Sequence, residues 1–142
     1  MYKRILVALE NGPADRSLVP HVARLASLCP SELLLIHVAD GWVARHYDDL
    51  KLAESDEMKA DRDYLLQQAA ALGAQGLQVR IHLALGNPPT EILKAAEQEQ
   101  CDLIAMTTHG HRFLGDLLHG STITAVRHKS HIPILLVRAA AV

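Results

Sequence analysis

The chain has 142 residues, a length that fits one domain, residues 1–142, with a real hydrophobic core. Apolar residues make up 49%, charged residues 21%, and the formal net charge is −2, the balance of a soluble globular protein with no basic surface for nucleic acid. No apolar segment approaches a membrane span, and Ile5–Leu9 is too short for a signal-peptide core, so a cytoplasmic chain is expected, with Cys29 and Cys101 as reduced core thiols.

Ile5-Leu6-Val7-Ala8-Leu9 is continuously apolar, as a strand buried on both faces should be, and Glu10-Asn11-Gly12-Pro13 breaks it with turn chemistry. Leu18, Val22, Leu25, Ala26 and Cys29 then recur at helical spacing, with Pro20 placed near the helix start and Pro30 at its end. Leu33 to Val38 is a second buried-type strand. Trp42 to Ala53 has no clean period and is expected to form a long connection. A helix over roughly Ser55–Leu72 follows, carrying Met58, Leu65, Ala69 and Leu72 on one side, with Gly73 placed to end it.

Leu77 to Leu83 alternates apolar and polar, the pattern of an edge strand with one wet face. Gly86-Asn87-Pro88 is a helix start, with Asn87 as N-cap and Pro88 at the first helical position, and Ile92, Leu93 and Ala96 form the helix's stripe. Leu103–Met106 predicts the fourth strand, Thr122–His128 the last helix, and Ile134–Val137 the last strand. The resulting β-α-β-α-β-α-β-α-β order predicts an α/β fold of three layers, α/β/α, with a five-stranded parallel sheet in flavodoxin-like order 3-2-1-4-5. Strands 1 and 4 are then neighbours at the switch point, where their carboxyl ends open a crevice. Those ends carry Glu10-Asn11-Gly12 and the stretch Thr107–Ser121. Glycines and hydroxyls between a strand and a helix suit an anion, because they bring backbone N–H groups and a helix N-terminus close to it.

Taken together, Ile5–Gly12, Leu35-Ile36-His37-Val38, Gly86-Asn87-Pro88 with Ile92, Thr108-His109-Gly110-His111, and Gly120-Ser121 with Pro133–Arg138 resemble the universal stress protein family over nearly the whole chain. The resemblance implies an adenine nucleotide, ATP first, in the crevice. The base would meet backbone near Ala8 and Val38, and Glu10 stands where the family has Asp. The motif G-x2-G-x9-G-[ST] after strand 4 maps onto Thr107, Gly110, Gly120 and Ser121. With Met106 and Asn11 flanking, the phosphates would meet Gly110, His111, Gly120, Ser121 and Thr122. Thr107 replaces the first glycine. A required glycine conformation there would weaken binding, whereas a mere need for a small residue would not.

A Mg²⁺ bridging the phosphates would need few protein ligands. The nine histidines show no structural-metal spacing, and most are attributed to helix-end charge and phosphate contact. The P-loop lysine is absent, and no constellation requires turnover. Ile134–Val137 is wholly apolar yet falls at a sheet edge, and the resemblance implies a homodimer through this strand. The expectation is a dimeric, nucleotide-binding stress-response regulator. Two other readings stay open: an interaction module of the same family that holds no ATP, and a slow ATPase.

Overall fold

The computed structural model describes residues 1–39, 56–109 and 117–140, with the backbone alone for 117–121. Five strands, β1 (Arg4–Ala8), β2 (Glu32–Ala39), β3 (Val79–Leu85), β4 (Leu103–Thr108) and β5 (Ile134–Arg138), form one sheet in the order β3-β2-β1-β4-β5. All pairings are parallel, as the alternation of strands and helices predicts. The helices are α1 (Asp15–Leu28), α2 (Asp56–Gly73), α3 (Pro88–Gln98) and α4 (Leu117–Lys129).

Strand alternation divides the core into two layers. Ile5, Val7, Leu33, Leu35, Leu103 and Ala105 face one way, against Leu18, Val22 and Ala26 of α1 and Leu65 and Leu72 of α2. Leu6, Leu34, Ile36, Ile104 and Met106 face the other way, against Ile92, Ala95 and Ala96 of α3 and Val126 of α4. The central strands are dry on both sides, which is why β1 and β4 read as unbroken apolar runs. The edge strand β3 keeps Arg80 and His82 exposed.

Several local expectations need correction. α1 starts at Asp15, so Pro20 lies inside it rather than near its start. Pro20 offers no N–H to the Arg16 carbonyl, but both residues are on the exposed face, where water can serve that carbonyl. Gly73 remains helical, and the left-handed residue that ends the turn after α2 is Gly76, at φ +87°. β3 lies two residues later than its alternation suggests. β4 runs on through Thr107 and Thr108, paired with Val137 and Arg138 of β5. α4 begins at Leu117, five residues earlier than expected, because Leu117, Leu118 and His119 are compatible with helix and Gly120 does not stop it. The connection expected over Trp42–Ala53 falls outside the described residues. The start of α3 is as expected: Asn87 has extended backbone and its side-chain oxygen accepts the Thr90 N–H at 3.2 Å.

Candidate functional site

β1 and β4 are hydrogen-bonded neighbours; the chain winds outward from β1 through β2 to β3 on one side and from β4 to β5 on the other, so the sheet has its switch point between β1 and β4. Three of the expected site residues meet there on one sheet face. Ala8 ends β1, Val38 lies near the end of β2, and Met106 is the fourth residue of β4. Ala8 and Val38 pack against the core layer that contains Met106. Together they form an apolar surface at the carboxyl ends of three adjacent strands.

Polar groups converge just past the ends of β1 and β4. The Glu10 carboxylate lies two residues beyond β1. The His109 Nε2 is 2.9 Å from both of its oxygens, and the Thr107 hydroxyl donates to one of them at 3.3 Å. The two side chains of the Glu10–His109 pair are 18% and 12% exposed, so the contact is largely shielded from water. Thr107 itself is 4% exposed and sits in the strand. Its backbone is therefore extended, a conformation that a β-branched residue favours. The position that carries the first motif glycine in the resemblance thus demands no glycine conformation here.

Behind Glu10 the turn is held by charged groups that sequence reading missed. Asp15, only 2% exposed, accepts the N–H groups of Glu10 and Asn11 at 2.9 Å each and the Tyr64 hydroxyl at 2.5 Å. Burial, then the hydrogen bond and the charge of Asp15, push the Tyr64 phenol well above its ordinary range, so it stays a donor. Asn11 takes a left-handed backbone, φ +60°, which Asn tolerates, and donates from Nδ2 to Asp61 at 2.7 Å. Asp61, 8% exposed, also faces His37 Nε2 at 3.5 Å, while His37 Nδ1 lies 2.9 Å from the Leu9 carbonyl oxygen. The available signal was Asp61 itself: it stands three residues after Met58 and four before Leu65, on the buried stripe of α2.

Of the remaining expected residues, Gly110 and His111 lie outside the described residues. Gly120, Ser121 and Thr122 fall in the first two turns of α4, and Thr122 is buried. With α4 starting at Leu117, the N–H groups that a helix leaves unpaired at its start end at His119, so those of Gly120, Ser121 and Thr122 enter the helical ladder. Arg127, His128 and Lys129 close the last turn of α4, where the dipole favours them. His37 and His109, by contrast, are held by hydrogen bonds at the crevice. Among the described residues no group of three or more His, Cys, Asp or Glu could hold a metal ion. Both cysteines are free, and Cys101 is buried away from the crevice, just ahead of β4. No helix among these residues is long and apolar enough to cross a membrane.

Comparison with known proteins agrees with this architecture. The model of the universal stress protein family matches residues 1–138. The universal stress protein MJ0577 of Methanocaldococcus jannaschii is 28% identical, over 97% of this chain and 96% of its own. Its solved structure superposes with a TM-score of 0.83 at 27% identity, covering 100% of this chain and 99% of that one. Two more distant structures share the fold. A universal stress protein of Archaeoglobus fulgidus in complex with dAMP has a TM-score of 0.70 at 16% identity, covering 96% of this chain and 98% of that one. A universal stress protein in complex with cAMP has a TM-score of 0.71 at 16% identity, covering 98% of each chain.

Proposed function

The chain belongs to the universal stress protein family, and from that premise we propose that it binds an adenine nucleotide, ATP first, in the crevice between β1 and β4 and acts as a dimeric stress-response regulator in the cytoplasm. One observation carries the reading: at the switch point the carboxyl ends of the central strands present the apolar residues Ala8, Val38 and Met106 on one sheet face and, just beyond β1, the shielded carboxylate of Glu10. A flat apolar surface suits a purine ring, and a carboxylate accepts from ligand hydroxyls. The complexes of two fold neighbours with dAMP and cAMP support the adenine class.

In this proposal Ala8, Val38 and Met106 take the base, and Glu10 and Asn11 stand by the sugar. Gly110, His111, Gly120, Ser121 and Thr122 surround the phosphates, with Mg²⁺ bridging phosphate oxygens. Thr107 admits the ligand because its hydroxyl is already turned to Glu10. The edge strand β5 leaves Leu136 at 44% exposure, which antiparallel pairing with a second copy would cover.

Titration of wild type and Gly120→Val with ATP, with and without Mg²⁺, tests the site. The variant is expected to lose affinity at least about tenfold, because a branched side chain would crowd the phosphates. Equal affinity would count against the site as assigned. Phosphate release by the wild type well above the variant would bring in the slow ATPase. Sedimentation of a monomer at micromolar concentration would remove the dimer.

A further inference from the structure

The turn that carries Glu10 is fastened from α2, on the far side of the sheet from Met106. The Tyr64 hydroxyl holds Asp15, and Asp15 holds the N–H groups of Glu10 and Asn11. Asp61 takes the Asn11 side chain and faces His37, which holds the Leu9 carbonyl. Three consecutive residues, Leu9, Glu10 and Asn11, are thus tied through two α2 side chains one helical turn apart. We propose that Tyr64 and Asp61 are positioning residues for the crevice: by fixing the turn they set the Glu10 carboxylate against His109 and Thr107.

The physical case rests on two buried carboxylates. Asp15 is almost inaccessible, and each donor it loses leaves a buried charge less well satisfied. Asn11 keeps a left-handed backbone because both its N–H and its side chain are held. Releasing either hold lets the turn relax and swings Glu10 relative to His109.

Tyr64→Phe and Asp61→Asn in the full chain test this with two readouts, and only the affinity readout rests on the nucleotide proposal. The first is the imidazole nitrogen signal of His109 in the ligand-free protein, which reports its contact with Glu10. The second is affinity for Mg-ATP. Both variants are expected to move the His109 signal and to lower affinity roughly fivefold to tenfold. Asp102→Asn, which loosens the amino end of β4 at the opposite end of the strand from the crevice, is the control for general destabilisation and is expected to move neither. An unmoved His109 signal in both variants overturns the proposal, and so does a shift of equal size in the control. Absence of Mg-ATP binding by the wild type would instead refute the nucleotide reading, and positioning is then decided by the His109 signal alone.

Discussion

Thr107→Gly tests whether the departure from the family's glycine motif is a defect or a fitted part of this site. In β4 a glycine raises the conformational entropy lost on folding, at about 0.5–1 kcal/mol. Thr107 is 4% exposed, so its methyl group contributes about 0.8 kcal/mol of burial. Its hydroxyl donates to Glu10 at 3.3 Å, a long bond whose loss costs about 0.5–1 kcal/mol. The sum is about 2–3 kcal/mol, equivalent to a Tm lower by about 6–9 °C for a chain of this size. Circular dichroism during heating and in urea reads the stability, and a Mg-ATP titration reads the site. The variant should be less stable and bind Mg-ATP no more tightly, since an extended backbone already accommodates threonine. A variant as stable as wild type, with affinity improved tenfold or more, would refute this reasoning.

Three further outcomes follow from other parts of the fold. Asn87→Ala removes the side-chain bond to the Thr90 N–H and should lower unfolding free energy by about 1 kcal/mol in urea titrations, whereas an unchanged midpoint would show that the cap is idle. Burial pushes the Cys101 thiol up to about 11, so iodoacetamide at pH 8 should label it only after denaturation, and rapid labelling of the native protein would contradict its placement. Burial would raise the Asp102 carboxyl, but the N–H groups of Lys3 and Arg4 outweigh it and hold the carboxyl below its ordinary value. Its stabilising effect is therefore present above about pH 4 and lost as pH falls through the lowered value, so Asp102→Asn should flatten that acid limb of stability, and an identical limb would rule the effect out.

Strand order was legible because its causes are local and repetitive. Unbroken apolar runs mark the dry central strands β1 and β4, the polar alternation of Arg80 and His82 marks an edge, and right-handed crossovers do the rest. The N-cap of α3 was legible because Asn87 and Pro88 act within four residues. The switch-point residues Ala8, Glu10, Val38 and Met106 were reachable from topology together with the family resemblance.

Long-range polar partners were not legible. Nothing local in Asp15 announces Tyr64, 49 positions later, or in Glu10 announces His109, 99 positions later. Hydrophobic spacing places Asp61 on the buried face of α2 but does not say which donor meets it. The ends of elements also escaped where no strong breaker stands. Thr107 and Thr108 suit a strand as well as a loop, and Gly120 is tolerated inside α4.

Calorimetric titration of the wild-type chain with Mg-ATP tests the central claim most directly. The crevice between β1 and β4 predicts one site per chain with a Kd below about 100 μM. Absence of binding heat at millimolar ATP, ADP and AMP, over temperatures that expose any nonzero binding enthalpy, would contradict it.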